Sequence, residues 1–371
     1  MKLNKKIQNE IKSNNGFITI KNFIRTSMYD EKKGYYKNKR AIGKKGDFIT
    51  SSEISQLFGE IIGLYFIDYW SNYIKDEFNL IELGPGNGTF IRDALNISLN
   101  FENYFSSINL NLIEVNKELI KIQKKNLNIF KKKSLKMTWQ QNLKKINKKK
   151  LIVFANEFFD CFPISQFYKF KNEYFEKIIK YDEKNKKFYF DDIKLNKNLK
   201  LFNKIESLYS SYNLKDKSII EIEYDAEKYL ESISEIIKKN GGLFVIIDYG
   251  NYSSSGFSTI QSVSKHKKVD FLNNVGKQDI SHMLDFNYFY MKLKSLNLNV
   301  YGPFTQRNFL TSIGINELKN KICKNVNTKK KLEIQKDLDR ILDEDKMGEL
   351  FKVLIISSQK LENYEKFNEL Y

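Results

Sequence analysis

The sequence predicts an α/β fold built on a doubly wound, mostly parallel sheet, and three observations support this prediction. Short apolar runs recur after residue 78 and alternate with segments of helical spacing, as in parallel strands covered by helices on both faces. A glycine-rich turn separates the first of these runs from the helix that follows it. The chain has 371 residues, 41% of them hydrophobic, which is enough to bury a large core.

Two regions are predicted along the chain. Residues 1–75 are expected to form a helical extension with a loop beside the site, and residues 76–371 the main domain. Within the main domain, two insertions are predicted at about 166–215 and 256–290. The first is rich in Lys, Tyr and Phe and is expected to be antiparallel. Both insertions are expected to shape the site beside the sheet.

The extension contains two predicted helix starts. Thr19 is predicted to cap a helix over residues 20–28. Thr50 and Glu53 have the spacing of a capping box, in which the Glu53 side chain bonds back to the backbone N–H of Thr50. The apolar residues over 54–69 recur at helical spacing, which predicts a helix packed against the core.

Strands and helices then alternate through the main domain. The predicted strands cover residues 78–84, 108–116, 151–160, 242–250, 297–304 and 351–357. Helices are predicted over 89–96 and 117–125, directly after the first two strands. In such a sheet the carboxyl ends of the parallel strands line one crevice, so the residues that follow these strands are the candidate site.

The net charge of +18 comes almost entirely from lysine. Only five of the 63 basic residues are arginine, the side chain favoured for bidentate recognition of bases and phosphates. A nucleic-acid partner remains an alternative, but compositional drift with a solvated surface is favoured. The lysine-dense stretches 117–150 and 317–346 are accordingly predicted to be solvated helix faces. Two cysteines form no disulfide framework and no apolar run reaches ~18 residues, which predicts an intracellular protein without membrane insertion.

The strongest local signal is the turn ELGPGNG at residues 82–88. Its first glycine allows a tight turn, its second a close approach to a ligand, and its third close packing of the helix. The spacing G-x-G-x-G differs from the G-x-G-x-x-G of dinucleotide sites. It resembles motif I of class I S-adenosylmethionine-dependent methyltransferases. The candidate cofactor-binding residues are therefore Glu82, Gly84, Pro85, Gly86 and Gly88. The alternative is a glycine-rich turn without a ligand.

Three polar residues at the next strand ends extend this candidate site. Glu114 lies 32 residues after Glu82, where a carboxylate accepts hydrogen bonds from both ribose hydroxyls and repels the 2′-phosphate of NADP. Asn156 and Glu157 end the third strand, and we expect them to contact either the adenine ring or the substrate.

Acidic residues at the strand ends suit a cationic methyl acceptor. Glu157, Asp160 and Asp248 are predicted to form an acidic entrance whose carboxylates bind a guanidinium. The alternatives are a helix cap for Asp160 and a backbone hydrogen bond for Asp248. His282 and Asp285 would share one face of a helix, which makes His282 a candidate base; the alternative is a histidine satisfied within the core.

Several other kinds of site are excluded by missing patterns. The sequence has no G-x-x-x-x-G-K-[ST] and no G-x-S-x-G, so it predicts neither a P-loop nor a serine-hydrolase elbow. No histidines and cysteines have zinc-ligand spacing, and no metal is expected.

Ordered blocks over most of the chain resemble the MidA family of class I-like methyltransferases. They are GYY, IGKKGDFITSSEISQLFGE, ELGPGNGTFIRDAL, ANEFFDCFPISQF, IDYG, DISHMLDF, GPFTQRNFL and MGELFKVL. The resemblance implies a Rossmann-like methyltransferase sheet, binding of S-adenosylmethionine and methylation of protein arginine. For mitochondrial members it implies a setting in the assembly of the respiratory NADH dehydrogenase. It also implies that the cofactor is held by Gly84, Gly86 and Gly88, its ribose by Glu114, and the site after the third strand by Asn156 and Glu157, with Asp47 and Thr50 close by.

Two positions depart from the family pattern. Ser52 stands where proline is expected, and Cys161 where alanine is expected. Neither change removes a functional group. We therefore expect an S-adenosylmethionine-dependent methyltransferase acting on arginine of a protein, such as a subunit of NADH dehydrogenase. The alternatives are an RNA or small-molecule methyltransferase and a non-catalytic assembly protein that keeps the fold. The expected location is the cytoplasm, or the mitochondrial matrix in a eukaryote.

Overall fold

The computed structural model describes residues 3–37, 50–196, 199–264 and 267–362. Its strands are β1 (Ile18–Thr19), β2 (Phe78–Leu83), β3 (Ile108–Ile113), β4 (Lys136–Gln140), β5 (Leu151–Asn156), β6 (Ser165–Phe170), β7 (Glu173–Asp182), β8 (Lys187–Lys194), β9 (Ile220–Ile222), β10 (Gly242–Asn251), β11 (Gln261–Ser264), β12 (Lys267–Lys268), β13 (Asp279–Ser281), β14 (Leu284–Asp285), β15 (Asn299–Thr305) and β16 (Phe351–Ser357). Its α-helices are α1 (Leu3–Ser13), α2 (Ile20–Tyr29), α3 (Ser51–Ile54), α4 (Gln56–Tyr69), α5 (Thr89–Ser98), α6 (Glu102–Ser107), α7 (Lys117–Asn126), α8 (Asn128–Lys132), α9 (Leu199–Ser211), α10 (Tyr224–Asn240), α11 (Phe286–Ser295), α12 (Gln306–Ser312), α13 (Ile315–Cys323) and α14 (Thr328–Leu342).

The main sheet has the strand order β4-β3-β2-β5-β10-β16-β15. Neighbours from β4 to β10 are parallel, whereas β16 runs antiparallel to both β10 and β15. The predicted fold class is therefore confirmed. The sequence predicts helix for the lysine-dense stretch 117–150. This part of the prediction is wrong for residues 136–140, which form β4. β4 is an edge strand with half-exposed or exposed side chains, so its sequence lacks the apolar run that marks the inner strands.

Helices cover both faces of this sheet. Successive residues of β2 point to opposite faces, so that Leu80 packs in one core and Ile81 in the other. On the Leu80 face lie α4 and α5, where the Phe90 ring stacks on Phe154 of β5 at a centroid distance of 4.0 Å. On the other face lie α10 and α11. The predicted apolar stripe of α4 is core packing, as expected.

The first helices pack against the insertions rather than against the main sheet. Thr19 caps α2 as predicted, accepting a hydrogen bond from the backbone N–H of Asn22. β1 pairs antiparallel with β7, opposing Ile18 to Ile179, and the Phe23 ring of α2 contacts the ring of Phe271. Since α4 packs on the main sheet, the predicted region 1–75 contributes to two cores. Its boundary at residue 75 stays a prediction.

Both insertions contain antiparallel strands. In the first, β7 pairs with β6 and β8, and α9 packs against this sheet. In the second, β11 pairs with β12 and β13. No helix in the described part of the chain is long and apolar enough to cross a membrane.

Candidate active site

The glycine turn between β2 and α5 borders a cavity at the carboxyl edge of the sheet. Gly84 and Gly86 have φ values of +61° and +53°, a left-handed backbone that favours glycine. A Cβ atom on Gly84 would lie 2.8 Å from the ring of Phe158, so the turn passes tightly against the loop after β5. At Gly86 the backbone itself faces the cavity, as the sequence predicted for a ligand-binding turn.

Two buried carboxyl groups, of Glu82 and Glu114, line the cavity beside this turn. Oε2 of Glu82 has no hydrogen-bond partner among the described residues. Burial, followed by repulsion from Glu114, raises the pKa of Glu82 well above its usual range. Oε1 of Glu114 accepts a hydrogen bond from the backbone N–H of Asn116 at 2.8 Å. A buried polar atom without a partner is costly, so this pair is suited to a ligand that supplies hydroxyl groups.

Gln123 forms hydrogen bonds with the glycine turn, Glu114 and β4, and it is not among the residues predicted from the sequence. Its amide nitrogen donates to the carbonyl oxygen of Gly86 at 2.7 Å and to Glu114 Oε2 at 3.2 Å. Its oxygen accepts a hydrogen bond from the indole of Trp139 on β4. Gln123 therefore fixes the turn and the Glu114 carboxylate relative to each other.

Glu157 lies at the end of β5 in a strained backbone conformation, with φ at +49°. Its Oε1 accepts hydrogen bonds from the backbone N–H of Ser51 at 3.0 Å and from the Asn156 amide at 3.2 Å. Burial is the main reason that the pKa of Glu157 is raised to about 8. Oδ1 of Asn156 has no partner among the described residues. Both side chains line the cavity, as predicted for the residues that end the third strand.

The predicted capping box is wrong, because Glu53 serves the glycine turn instead. Its Oε1 accepts hydrogen bonds from Thr89 Oγ1 at 2.6 Å and from the Asn87 amide at 3.2 Å. Thr50 makes no side-chain cap bond, but it lines the cavity with Glu53. Asp47, the other residue predicted in this block, lies outside the described residues.

Asp160 and Asp248 do not line the cavity, so the predicted entrance of three carboxylates is wrong. Asp248 is fully buried, and its Oδ2 accepts hydrogen bonds from the backbone N–H groups of Phe158, Phe159 and Asp160. This is the alternative given above for Asp248. Burial and the neighbouring Asp248 raise the pKa of Asp160 well above its usual range. Asp248 therefore positions the loop that carries Phe158 and does not face the cavity.

We expect Asp248→Asn to lower the free energy of unfolding by about 2–3 kcal/mol. Oδ2 accepts hydrogen bonds from three backbone N–H groups and Oδ1 from that of Tyr249, so an amide nitrogen in either place would face donors. Urea denaturation measures this change. Asp182→Asn is the control, because Asp182 also accepts hydrogen bonds from two backbone N–H groups but lies at an exposed turn. It should change stability by less than about 0.5 kcal/mol. Equal effects of the two variants would refute this role for Asp248.

His282 lies in the core, which corrects the prediction that it shares a helix face with Asp285. The segment is extended, with His282 between β13 and β14. His282 is 2% exposed; its backbone N–H donates to the carbonyl oxygen of Asp160, and its Nδ1 lies 3.4 Å from Glu223 Oε1. Burial lowers the pKa of His282 to about 4. The residue does not line the cavity.

Aromatic rings also line the cavity. Phe158, Phe162 and Tyr229 contact one another edge to face, with centroids 5.2–5.5 Å apart. Tyr29 and Tyr36 form a second pair at 5.4 Å. Such rings attract delocalised cations through their faces. These rings were not assigned to the site from the sequence. Tyr36, Phe158 and Phe162 lie within blocks quoted above for the resemblance, whereas Tyr29 comes from α2 and Tyr229 from α10, which lie outside those blocks.

An ion pair between α2 and α10 lies at the rim of the cavity. Nη2 of Arg25 lies 2.6 Å from Asp225 Oδ2, and Lys21 and Lys228 lie 3.6 Å and 3.9 Å from Oδ1 of the same carboxylate. Partial burial raises the pKa of Asp225, but the Arg25 hydrogen bond and the nearby positive charges outweigh it, so the pKa is lowered. An ionised carboxylate therefore stands at the entrance.

The cavity has a volume of about 410 Å³, and its lining combines two sets of groups. One set is the glycine turn with Glu82 and Glu114; the other is the aromatic rings and the Arg25–Asp225 pair, with Glu157 also in the lining. Among the described residues no cluster of His, Cys, Asp or Glu could hold a metal ion. The first set suits a ligand rich in hydroxyl groups, and the second suits a cationic ligand.

A doubly wound sheet with a glycine turn in the lining of a cavity at its carboxyl edge is the architecture expected above for a class I S-adenosylmethionine-dependent methyltransferase. Residues 61–304 match the family described as "putative S-adenosyl-L-methionine-dependent methyltransferase". The chain belongs to this family, which confirms the resemblance stated above, and S-adenosylmethionine is its cofactor.

Relatives and solved structures agree with this assignment. The chain is 29% identical to the mitochondrial protein arginine methyltransferase NDUFAF7 of Xenopus tropicalis, over 93% of this chain and 83% of the relative. It is 28% identical to human NDUFAF7, over 94% and 82% of the two chains. A Burkholderia thailandensis protein solved with S-adenosyl-homocysteine has the same fold, with a TM-score of 0.83 at 19% identity, over 98% of this chain and 94% of that one.

Proposed function

We propose that this methyltransferase modifies an arginine side chain of a protein substrate. The observation that carries the proposal is the presence of Glu157, a carboxyl group, in the same cavity lining as the aromatic rings and Glu82, whose Oε2 has no hydrogen-bond partner among the described residues. A carboxylate binds a guanidinium through charge-assisted hydrogen bonds, and aromatic faces stabilise its positive charge. The names of the curated relatives, which are protein arginine methyltransferases, support the same substrate class.

The glycine turn with Glu82 and Glu114 is proposed to hold the adenosine portion of S-adenosylmethionine. Glu114 would accept hydrogen bonds from the ribose hydroxyls, and Oε2 of Glu82, which has no partner among the described residues, would bond a nearby polar group. Gly86 would let the ligand approach the backbone of the turn, whereas Gly84 makes room for the Phe158 ring, and Asn156 would offer its amide oxygen to the adenine amine. Pro85 and Thr50 also line the cavity. When bound, the cofactor supplies an electrophilic methyl group on a sulfonium sulfur.

Glu157 is proposed to orient the acceptor nitrogen. Its carboxylate would accept an N–H of the guanidinium, and this aligns one nitrogen with the methyl group for an in-line displacement. Because the pKa of Glu157 is raised to about 8, the carboxylate also has the affinity to take a proton during the reaction. Asp248 acts through the backbone of the loop and is a positioning residue. Nothing in the geometry of His282 supports a role as a base.

The proposed physiological substrate is a subunit of the respiratory NADH dehydrogenase, as the MidA resemblance implies. The two vertebrate relatives named above are mitochondrial by name. We propose the mitochondrial matrix as the location in a eukaryote and the cytoplasm in a bacterium.

The test is mass spectrometry of NADH dehydrogenase subunits from a deletion strain complemented with wild type or with Glu157→Gln. A methylarginine that is lost on deletion and restored by the wild type alone supports the proposal. Unchanged arginine methylation contradicts it. Full rescue by the variant would favour an assembly protein without catalysis, and methyl transfer to RNA by the purified protein would favour the nucleic-acid alternative.

The ion pair at the rim leads to a prediction about acceptor binding. Since exposed ion pairs are weak, a substrate guanidinium can replace Arg25 at Asp225. Asp225→Asn should raise the KM for an arginine-containing substrate by about tenfold, without changing cofactor affinity. Initial-rate kinetics measure this. Asp191→Asn is the control, because Asp191 pairs with Lys180 on the exposed β7–β8 hairpin. An unchanged KM in Asp225→Asn would refute this contact.

A further inference from the structure

We infer that residues 117–150 form a docking surface for an anionic lipid bilayer. This segment, called the lysine face below, comprises α7, α8, β4 and the turn that leads to β5. Its lysines do not line the cavity, and the inference does not depend on which substrate is methylated.

Charge is concentrated in the lysine face far beyond the average of the chain. Its 34 residues contain 13 lysines and one acidic residue. An even spread of the 58 lysines and 45 acidic residues of the chain would place about five lysines and four acids there. The second lysine-dense stretch, 317–346, contains nine basic and seven acidic residues and is nearly neutral. Compositional drift would act on both stretches alike, so it does not explain the difference.

Few of these charges are neutralised within the described residues. Lys121 pairs with Glu118, and Lys149 pairs with Glu77. Lys124 lies over the ring of Trp139 at 5.2 Å and keeps its charge. Apart from Lys149, all the lysines of this face are exposed to solvent. The surface therefore has a large positive potential that attracts anions.

Exposed isoleucines are interleaved with these lysines. α7 and α8 bury Leu119, Leu127 and Phe130 against the core. Ile122 of α7 is 36% exposed, and Ile129 of α8 is 53% exposed. Apolar side chains among lysines are typical of a surface that lies in the interface of a bilayer.

The same residues argue against nucleic acid as the partner. The segment 117–150 contains no arginine, which is the side chain best suited to base edges and bidentate phosphate contacts. Its aromatic residues are Phe130, which is buried, and Trp139, which is half-buried beneath Lys124. No ring of this face is therefore free to stack on a base. Lysines and small apolar side chains match anionic headgroups and the acyl boundary beneath them.

The test is co-sedimentation of the purified protein with vesicles of phosphatidylcholine mixed equally with phosphatidylglycerol, and with vesicles of phosphatidylcholine alone. We expect binding to the mixed vesicles only, and weaker binding as salt is raised. The triple variant Lys125→Glu, Lys132→Glu and Lys133→Glu should bind at least about tenfold more weakly. Ile122→Ser with Ile129→Ser should also weaken binding.

The control is a triple variant of the nearly neutral stretch, Lys324→Glu, Lys329→Glu and Lys331→Glu, which makes the same charge change on exposed lysines. It should bind the mixed vesicles like the wild type, and circular dichroism should show that all variants are folded. The inference is overturned if the wild type does not bind mixed vesicles, if both triple variants lose equal affinity, or if RNA is bound through the lysine face and vesicles are not.

Discussion

Gly86→Val is expected to weaken S-adenosyl-homocysteine binding by at least about hundredfold, which corresponds to ~2.7 kcal/mol. Gly86 has φ at +53°, where a β-branched residue is strained by more than about 1–2 kcal/mol. Its backbone lines the cavity, so the added isopropyl group would also occupy space needed by the ligand. Titration calorimetry of the purified variant measures the loss.

Gly16→Val is the matched control for this experiment. Gly16 has φ at +83°, and a Cβ atom there would meet nothing within 4 Å. This variant carries a similar backbone strain without filling the cavity, so it should bind S-adenosyl-homocysteine like the wild type. If Gly86→Val retains full affinity while folded, the glycine turn is not the cofactor site. If both variants lose affinity together, the cause is strain and not occupation of the cavity.

Glu157→Gln is expected to lower kcat by at least about hundredfold, the range for loss of a group that handles a proton in the reaction. Binding of S-adenosyl-homocysteine should be unchanged, since the amide keeps the size of the side chain. Glu176→Gln is the control. Burial also raises the pKa of Glu176, to about 7, but this residue does not line the cavity. Activity that survives Glu157→Gln would remove Glu157 from the proposed mechanism.

The pH dependence gives an independent check on Glu157. Its pKa is raised from 4.5 to about 8, so the carboxyl is protonated below that pH and ionised above it. Because the ionised form binds the guanidinium, kcat/KM should rise as pH increases through about 8 in the wild type. Glu157→Gln has no group that titrates there, so this rise should be absent. A profile that is the same in both proteins would assign the titration to another group.

Stability should depend on pH in the opposite direction from activity: the contribution of Glu157 to the free energy of unfolding falls as pH rises, whereas kcat/KM rises. The native state holds the Glu157 proton more tightly than the unfolded chain does, so this residue contributes most to stability below pH 4.5 and progressively less as pH rises to about 8. Relative to the wild type, Glu157→Gln should therefore be more stable above pH 8 than below pH 4.5. Urea denaturation at the two pH values measures this. Gain of stability with loss of activity is the pattern expected of a strained functional residue.

The parts of the site that are local in sequence were predictable. β2, the glycine turn and α5 follow one another without interruption, so strand pattern, turn and helix start could be recognised together. Glu114 and Glu157 follow strands with long apolar runs, and the parallel sheet brings such strand ends to one edge. For these residues, the fold class alone was sufficient to place them at the cavity.

The parts that depend on tertiary contacts were not predictable. Glu53 has the spacing of a capping box, but folding places α3 beside Thr89, and a 2.6 Å hydrogen bond to that hydroxyl replaces the cap. Asp248 follows a strand as Glu157 does, yet three backbone N–H groups surround its carboxylate. Tyr29 lines the cavity through tertiary contacts that no local pattern encodes: β1, which precedes its helix, pairs with β7, and its hydroxyl donates to the carbonyl oxygen of Cys161.

The pairing of β1 with β7 also bears on how the protein is made. During translation, residues 18–19 emerge about 160 residues before their partners at 178–179, and Phe23 emerges long before Phe271. Until then, the apolar faces of α1 and α2 have no core to join. We expect the strands β2 to β5 to emerge and begin to pair before the first helices find their partner strand β7, so the cavity wall formed by Tyr29 forms after this part of the sheet. An amino-terminal segment exposed for so long is a natural point for a chaperone to act.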